Sequence, residues 1–413
     1  MKGYYQHVKG TTDFFSSQTI VFQEIIEKAK KIFRTFGYEE IMLPLLEETS
    51  VFVKSVGELT DIVERQMFKI EGKDIVLRPE GTAQVVRFFI EHTLWKEKEF
   101  HKFFYIGPMF RGERPQRGRL RQFHHIGGEC LGSNLPYLDA EVIKLALLIL
   151  KECGIGDVEL KINSLGCQKD KERWKNNLIK QLQNRKKELC PLCRERLERN
   201  PLRVLDCKEK GCRRVVETLK RDVYLCSSCQ EHFKRVLYYL DKLKISYDYS
   251  PILVRGLDYY TNTVFEIVSH KLGSQDACGA GGRYNSLVKS MGGPDIPAIG
   301  FALGIERMML LLGKEEKRPS LKVFVAYREN CLDKAIEVLN SLRERDIPSQ
   351  MSYLEKSLKA QLRLAQKSGA EFTIIIGEEE LKEGFFTLRD MRKSQQEKIG
   401  WSQLLEKIKV FEG

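Results

Sequence analysis

The sequence predicts an α+β protein with an antiparallel core sheet, followed by a small α/β domain at the carboxyl end. Three observations support this fold class. Between residues 1 and 320, candidate strands and helices occur in blocks instead of alternating as β-α-β units. A lysine- and arginine-rich, mostly helical stretch at 165–245 interrupts this first domain as an insertion. From 321 to 413, strand and helix patterns alternate, which is typical of a largely parallel sheet.

Composition restricts the class of protein further. The chain has 413 residues, 42% of them hydrophobic and 31% charged, which suits two or three domains with sizeable cores. The formal charge of +12 favours a polyanionic partner such as RNA, although solubility alone also explains it. No apolar stretch approaches a membrane span, and "MKGYYQHVKG" lacks the apolar segment of a secretory signal, so we expect a cytoplasmic protein without membrane contact.

The first elements in chain order are a helix and a strand. Residues 18–36 carry apolar side chains at helical spacing, Gly37 ends the helix, and "YEEIMLPLLE" indicates a strand that reaches Pro44. Because this helix is unusually apolar for a surface helix and the strand offers an edge that must be covered, residues 18–48 are expected to form a homodimer interface. The alternative is that the helix packs only on its own sheet. Further strands are expected at "MFKI", "DIVLR" and "EFHKFFYIGPMFR", with a helix that begins near Gly81.

The carboxyl-terminal region follows a charged linker, "GKEEKRPS", at 313–320. Strands are expected at "LKVFVAY", "IPSQMSY" and "EFTIIIG". Helices are expected at "CLDKAIEVLNSLRER" and "SLKAQLRLAQKSG" between them. This region should therefore fold independently.

Arginines on strands are the candidate phosphate ligands. The sequence contains no Gly-x4-Gly-Lys-Ser/Thr loop, and "GAGGRY" at 279–284 lacks the spacing of a dinucleotide fingerprint. In "GPMFRGERPQRGRLRQFHHIGGE" at 107–129, Arg111 ends a strand, and the following arginines lie in an expected loop. Period-2 alternation then places one face of the returning strand together, namely Phe123, His125, Gly127 and Glu129. An arginine suits a phosphate or carboxylate group, an aromatic ring suits a nucleotide base, and a carboxylate suits an N–H group of a ligand. The alternative is a basic hairpin on an exposed sheet without a binding role.

Three other stretches carry polar groups in apolar surroundings. "VRGLDYYTNTVFEIV" at 254–268 is strand-like but contains Arg255 and the pair Tyr259–Tyr260, which either lie on a solvated sheet edge or point into a pocket. "RPEGT" at 78–82 offers a carboxylate and a hydroxyl that suit an ammonium group, or is simply a turn before a helix. "GFALGIERMML" at 300–310 is expected to be an apolar helix, in which Arg307 either has a binding role or extends to the surface.

Taken together, these stretches resemble the histidyl-tRNA synthetases, a family of class II aminoacyl-tRNA synthetases, over nearly the whole chain. The helix and strand that end at Pro44 resemble motif 1, the dimer-forming element; "FRGERPQRGRLRQF" resembles motif 2; and "GFALGIER" resembles motif 3. These three motifs indicate only the class. "LVRGLDYYT" and "AGGRY" at 280–284 resemble the two signatures that separate the histidine enzymes from their class II relatives.

The resemblance implies roles for the site residues. Arg111 would bridge the histidine carboxylate and the ATP α-phosphate, and Arg255 would act on the same phosphate, so both are expected to be catalytic. The residues expected to bind histidine are Glu80, Gly81, Thr82, Arg111, His125, Glu129, Arg255, Tyr259 and Tyr260. The residues expected to bind ATP are Arg111, Glu113, Phe123 and Arg307, the last with Mg²⁺. An imidazole offers one donor and one acceptor, which a carboxylate and a phenol complement.

The implied activity is that of a histidine–tRNA ligase. L-Histidine reacts with ATP to form histidyl-adenylate and pyrophosphate, and histidine then passes to the 3′ end of histidine tRNA. The domain at 321–413 resembles the family's anticodon-binding domain, and the motif 2 loop arginines would approach the acceptor end of the tRNA. The alternative is a paralogue that serves as the regulatory subunit of ATP phosphoribosyltransferase, but such proteins typically lack this domain and the signature arginine.

Two residues depart from the family pattern. His125 stands where glutamine is usual, at a position beside bound histidine, and Asn285 follows "GGRY" where aspartate is usual. Neither change removes a charged catalytic group.

Cysteine spacing in the insertion predicts a structural zinc site, which the family resemblance does not imply. "CPLC" at 190–193 and "CSSC" at 226–229 are Cys-x2-Cys pairs, and two such pairs supply the four thiolates that tetrahedral Zn²⁺ prefers. The expected ligands are therefore Cys190, Cys193, Cys226 and Cys229, with Cys207 and Cys212 as substitutes. The alternative is reduced thiols without metal, as expected in the cytoplasm.

Overall fold

The computed structural model describes residues 5–57, 60–219, 225–273, 276–313 and 321–409. The chain divides into two compact units, the first ending near residue 314 and the second comprising the region that follows together with residues 15–20. The charged linker expected at 313–320 lies, from residue 314 onward, outside the described residues. Among the described helices, none has the length and apolar character needed to cross a bilayer.

The first unit contains both helices and strands. Its helices are α1 (Ser17–Thr35), α2 (Thr49–Val56), α3 (Thr82–Glu91), α4 (Pro136–Glu152), α5 (Gln168–Gln183), α6 (Pro191–Arg199), α7 (Lys210–Glu217), α8 (Ser227–Lys242), α9 (Leu287–Ser290) and α10 (Ile305–Leu312). Its strands are β1 (Glu39–Glu40), β2 (Leu46–Glu48), β3 (Phe68–Lys69), β4 (Ile75–Leu77), β5 (His101–Phe110), β6 (Gln122–Leu131), β7 (Glu159–Ser164), β8 (Asp248–Tyr249), β9 (Thr261–Val268), β10 (Ala277–Arg283) and β11 (Ala298–Gly304).

The main sheet has eight strands in the order β1-β5-β6-β11-β10-β9-β7-β8. Every pairing from β5 to β7 is antiparallel, which confirms the predicted antiparallel core, whereas the edge pairs β1–β5 and β7–β8 are parallel. A separate antiparallel sheet has the order β2-β4-β3. The long β5–β6 hairpin sets Met109 opposite Phe123 and Gly107 opposite His125, so the stretch at 107–129 does double back on itself as expected.

The apolar face of α1 packs on the main sheet. Phe33 is fully buried and its ring stacks on that of Phe104 with centroids 4.5 Å apart, while Ala29 and Ile25 are buried one and two turns earlier. Burial of a large apolar side chain contributes roughly 1.5–3 kcal/mol, so this face alone accounts for the position of the helix. The strand expected to reach Pro44 is shorter than predicted, because regular pairing with β5 stops at Glu40 and resumes in a different sheet at β2.

The stretch at 165–245 contains the four helices α5 to α8, as its sequence pattern predicted. Its apolar side chains share one core with part of the first unit, which includes Trp174, Leu178 and Val204 from the insertion and Val254 from the stretch at 254–268. The insertion is therefore packed against the residues that carry the family signature.

The described residues of the second unit, 321–409, form five strands and four α-helices. Its strands are β12 (Val323–Tyr327), β13 (Ser349–Met351), β14 (Phe372–Ile376), β15 (Phe386–Asp390) and β16 (Gln395–Ile399). Its helices are α11 (Leu332–Arg343), α12 (Leu358–Lys367), α13 (Glu378–Glu383) and α14 (Trp401–Lys409). The sheet order is β13-β12-β14-β15-β16, and the three strands predicted from the sequence are parallel.

Two sequence-based expectations about secondary structure are wrong. The sheet of the second unit is only half parallel, since β15 and β16 add an antiparallel hairpin; β16 is mostly exposed, as antiparallel edge strands can be. In "GFALGIERMML", residues up to Gly304 form the buried strand β11 and only the remainder is helical, because a short apolar run fits either element by periodicity.

Candidate active site

The β5–β6 hairpin positions an arginine over an aromatic ring. The guanidinium carbon of Arg111, one residue beyond β5, lies 5.2 Å from the centroid of the Phe123 ring. Its Nε donates to the carbonyl of Pro79 at 2.9 Å, which fixes the direction of the side chain. The ring of His125 lies 5.0 Å from that of Phe123, so the predicted face of β6 does bring these side chains together.

Glu80 lies at the amino-terminal end of α3. Its two carboxylate oxygens accept hydrogen bonds from the backbone N–H groups of Thr82 and Ala83, each at 2.8 Å. The hydroxyl of Tyr259 lies 3.5 Å from Glu80 Oε2, which joins the "RPEGT" turn to the signature stretch. Burial raises the pKa of Glu80 above its usual value, and the two N–H donors and the charge of Arg111 oppose that shift.

Glu129 is the deepest carboxyl group of the site and is 1% exposed. Thr82 Oγ1 donates to its Oε1 at 2.8 Å, Tyr105 lies 3.4 Å from the same oxygen, and the hydroxyl of Tyr284 donates to its Oε2. Burial raises the pKa of Glu129 to about 8, against the hydrogen bonds from Tyr284 and Thr82 that lower it. A carboxylate offers about four acceptor positions, so these three hydroxyls leave room for one more donor.

Glycines make space for the buried groups of the site. A Cβ atom on Gly81 would lie 2.3 Å from the Tyr105 ring, one on Gly127 would lie 2.2 Å from it, and one on Gly300 would lie 1.6 Å from Glu129 Oε2. Gly81, expected to touch substrate, therefore provides clearance for the Tyr105 ring.

Arg255 precedes β9 and is not part of a strand, since residues 254–260 are irregular. Its Nη1 donates to Oε1 of Glu266 at 2.7 Å, and the side chains of this ion pair are each 22% exposed. Burial on its own would lower the pKa of Arg255, but the charge of Glu266 raises it above the usual value. The solvated-edge alternative for this arginine is thus wrong.

Arg307 lies in the first turn of α10, directly after β11. Its Nε donates to the carbonyl of Gly118 at 3.0 Å, and its Nη1 donates to the carbonyl of Ala277. Burial lowers the pKa of Arg307, and the positive charges of Arg111 and Arg255 lower it further. The three arginines are therefore close enough to repel one another, and a polyanion would relieve that repulsion.

The tyrosine pair is buried. The rings of Tyr259 and Tyr260 lie 4.7 Å apart, and that of Tyr284 lies 5.6 Å from Tyr259. Burial raises the pKa of Tyr260 to about 12, so this phenol stays a neutral donor and acceptor. Lys171 of α5 fixes the loop from outside by donating to the carbonyls of Asp258 and Tyr260 at 2.6 and 3.1 Å.

The two residues that depart from the family pattern lie in different surroundings. Burial, followed by the charge of Arg111, lowers the pKa of His125 well below its usual value, so this imidazole is neutral. Its Nδ1 is buried and has no partner among the described residues. Asn285 instead has hydrogen-bond partners, since its Oδ1 accepts from the backbone N–H of Ala298 and its own backbone N–H donates to the hydroxyl of Thr261, both at 3.2 Å.

The remaining polar residues around the hairpin hold its loop. Glu113 pairs with Arg119, and Glu306 accepts from the backbone N and the ring of His124. Arg114 and Arg117 at the tip of the loop are exposed.

Sequence reasoning missed three residues that complete the site, namely Tyr105, Tyr284 and Glu266. Tyr284 ends the "AGGRY" stretch and could have been found from that signature. Tyr105 is opposite Gly127 in the hairpin register, and Glu266 lies on β9 beyond the irregular loop. These positions depend on strand register, which residue spacing alone does not provide.

The cysteines of the insertion divide differently from the expected set. Cys190 and Cys193 meet Cys207 and Cys212, whereas Cys226 and Cys229 meet Cys167 and Asp170. The expected combination of Cys190, Cys193, Cys226 and Cys229 is therefore wrong, because the two Cys-x2-Cys pairs begin different helices in different clusters.

Comparisons with known proteins cover nearly the whole chain. The family model described as Histidyl-tRNA synthetase matches residues 10–308, and the model described as Anticodon binding domain matches residues 312–410. The curated Histidine–tRNA ligase of Halothermothrix orenii is 46% identical over 409 residues, covering 97% of this chain and 98% of that protein.

Two solved structures are informative. The apo histidyl-tRNA synthetase of S. aureus superposes with a TM-score of 0.81 at 32% identity, covering 98% of this chain and 100% of that one. A Bacillus halodurans protein described as ATP phosphoribosyltransferase regulatory subunit/histidyl-tRNA synthetase has a TM-score of 0.66 at 18% identity, covering 91% of this chain and 98% of that one, and shares the fold alone.

Proposed function

This chain belongs to the histidyl-tRNA synthetase family and is a histidine–tRNA ligase, and we propose that the pocket between α3, β6 and the 254–260 loop activates histidine with ATP. We assign the activity to this pocket because Arg111, Arg255 and Arg307 come together there beside two buried carboxyl groups. Such a site can hold an amino acid and a polyphosphate together.

We propose that Arg111 and Arg255 catalyse adenylate formation by placement and charge. The histidine carboxylate is already a nucleophile, so attack on the α-phosphate needs no protein base. A guanidinium group over the Phe123 ring and a second one opposite would hold the carboxylate and the α-phosphate in contact while neutralising the charge that develops. Pyrophosphate leaves, and a hydroxyl at the tRNA 3′ end then attacks the histidyl carbonyl, which forms the ester and releases AMP.

The amino and imidazole groups of histidine would bind to two different carboxyl groups of the pocket. Glu80 and Thr82 are the proposed partners of the ammonium group, and the Tyr259 contact keeps Glu80 in place. The fourth acceptor position of Glu129 is the proposed site for an imidazole N–H, with the phenols of Tyr259 and Tyr260 nearby. The unpartnered Nδ1 of His125 adds a further polar contact on this side.

ATP would lie on the arginine side. Phe123 offers a ring for the adenine, and Arg307 lies where the terminal phosphates would extend. Glu113 is proposed to contact the nucleotide through the motif 2 loop that it anchors with Arg119.

The donor set also fits Mg²⁺, which prefers one or two carboxylates together with substrate phosphates. Glu266 lies beside Arg255 and close enough to raise the pKa of Arg307 by its charge, so its carboxylate would hold the ion there. When bound, Mg²⁺ neutralises phosphate charge.

The second unit is proposed to bind the anticodon stem-loop of histidine tRNA, in line with the family model that matches residues 312–410. The exposed Arg114 and Arg117 would contact the acceptor end. The net charge of +12 supports an RNA partner. Because this partner and the other components of translation are cytoplasmic, we propose that the protein is cytoplasmic.

A homodimer through residues 18–48 is proposed from exposed apolar side chains. Met42 is 95% exposed and Leu45 and Leu46 are 42% and 50% exposed, next to the short edge strand β1. The buried face of α1 is already occupied by its own sheet, so the interface would use the segment after the helix.

The test is ATP–pyrophosphate exchange with the intact protein. Exchange should require histidine, and histidinol, which lacks the carboxylate, should not support it. A protein that bound histidine but exchanged no label would match the regulatory-subunit alternative and would contradict the proposed pocket chemistry.

A further inference from the structure

Four cysteines from separate elements of the insertion meet at one point. Cys190 precedes α6, Cys193 lies in its first turn, Cys207 follows in a loop, and Cys212 lies in α7. Their four sulfur atoms all lie within 4.8 Å of one another, and those of Cys190 and Cys207 are 4.0 Å apart. Thiolates in a tetrahedral zinc site, with Zn–S bonds of about 2.3 Å, are separated by about 3.8 Å. The cluster therefore has almost the dimensions of an occupied site.

Backbone N–H groups point at these sulfur atoms. The N–H of Cys190 donates to the sulfur of Cys212 at 3.2 Å, and that of Cys193 donates to the sulfur of Cys190 at 3.4 Å. Such donors stabilise the negative charge of metal-bound thiolates, and they orient the ligands from outside the coordination shell.

A second cluster joins the two ends of the insertion. Cys167 precedes α5 and Asp170 lies in its first turn, while Cys226 precedes α8 and Cys229 lies in its first turn. Their ligand atoms also lie within 4.8 Å of one another. The N–H of Cys167 donates to the sulfur of Cys229 at 3.2 Å, and the N–H of Cys226 donates to Asp170 Oδ2 at 3.1 Å. The amino-terminal ends of the two helices thus contact each other.

Disulfide bonds do not explain these clusters. All eleven cysteines are free, and the 4.0 Å between the sulfur atoms of Cys190 and Cys207 is about twice the length of an S–S bond. Four thiolates are one of the closed ligand sets of structural zinc sites, and an aspartate oxygen is also a zinc ligand that can complete a set of three thiolates. Zinc binding would add its free energy to that of the apolar side chains that the insertion already buries in the core of the first unit.

We propose that the insertion binds two structural Zn²⁺ ions, one at Cys190, Cys193, Cys207 and Cys212, and one at Cys167, Asp170, Cys226 and Cys229. The first ion holds α6 and α7 to the intervening loop. The second clamps the first helix of the insertion to its last.

The second site also contacts residues next to the loop that lines the proposed substrate pocket. The side-chain amide of Asn262 lies 3.7 Å from the sulfur of Cys229, and the backbone N–H of Asn262 donates to the carbonyl of Gly166 at 2.7 Å. Lys171, which follows Asp170 in α5, donates hydrogen bonds to the carbonyls of Asp258 and Tyr260. The metal therefore fixes the helix that positions the tyrosine loop.

The test is zinc content of the full chain, produced without a metal-binding tag or chelator. Elemental analysis should find about two zinc ions per chain, and addition of an organic mercurial should release both to a zinc-sensitive dye. Cys207→Ser with Cys212→Ser should leave about one ion, and Cys226→Ser with Cys229→Ser should also leave about one. Cys331→Ser, which alters a buried cysteine of the second unit outside both clusters, should retain both ions.

The wild-type measurement decides the question even if a variant fails to fold. Wild-type protein with less than about half an ion per chain after refolding with zinc would overturn the proposal, as would iron in place of zinc. A single zinc ion that both double variants lose would overturn the two-site arrangement.

Discussion

Replacement of Arg255 by alanine should reduce histidine-dependent pyrophosphate exchange far more than it reduces stability. The variant removes a guanidinium group that lies within repulsive range of Arg111 and Arg307, where the α-phosphate is proposed to bind. Loss of one charge-stabilising donor in a water-poor site typically costs 10²–10³-fold in rate, or roughly 3–4 kcal/mol. We therefore expect kcat for exchange to fall by about that factor.

The same change also breaks the ion pair with Glu266, in which both side chains are 22% exposed. Loss of one partner from a partly buried pair costs about 1–3 kcal/mol of unfolding free energy. Lys102→Ala is a matched control, since Lys102 pairs with Glu141 at 2.6 Å and those side chains are 19% and 20% exposed, away from the pocket. The control should lose similar stability in urea unfolding and keep its exchange rate.

A second variant separates structure from chemistry. Arg255→Ala combined with Glu266→Ala removes the unpaired carboxylate and should recover part of the lost stability without recovering exchange. Near wild-type exchange in Arg255→Ala, or equal losses of exchange in Arg255→Ala and Lys102→Ala, would refute the proposed role.

Three further predictions concern pH, assembly and the second unit. The pKa of Glu129 is raised to about 8 in the folded chain, so its contribution to stability is complete below its pKa in the unfolded chain and is lost as pH rises from about 5 through 8. Urea midpoints should therefore fall over that pH range, and Glu129→Gln should flatten the slope. Identical slopes in the wild type and the variant would contradict the raised pKa. Met42→Glu should convert a dimer to a monomer by light scattering, while Leu381→Glu, at an exposed position of the second unit, should not; a wild-type monomer would end the dimer proposal. Deletion of 321–413 should weaken aminoacylation much more than pyrophosphate exchange, and equal losses would mean that the domain is structural.

The electrostatic design of the pocket explains why arginine and carboxyl groups can share it without substrate. Glu80 and Glu129 are buried among hydroxyl and N–H donors, and the arginines are held by carbonyl groups and by Glu266. Many polar groups of the pocket therefore keep a partner, although Nδ1 of His125 and Nε of Arg255 have none among the described residues. The pocket retains an excess of positive charge for the proposed nucleotide.

Local spacing was enough to determine several features of this protein from its sequence. The apolar positions of α1, the alternation of Phe123 and His125 on β6, and the arginine-bearing stretches are set by the fixed periods of helices and strands. The resemblance to the family rests on these same short stretches, so the antiparallel core and the histidine–tRNA ligase activity follow from the sequence and agree with the comparisons.

Only the tertiary structure decided which distant residues meet. The Cys-x2-Cys pairs look alike in sequence, yet each begins a different helix, and the chain topology brings one to Cys207 and Cys212 and the other to Cys167 and Asp170. Likewise, the raised pKa of Glu129 is caused by its burial, which depends on the packing of α3, β5 and β11 around β6. Residue spacing encodes periodicity along one element, whereas distances between elements depend on strand order, register and packing, which arise only when the whole chain folds.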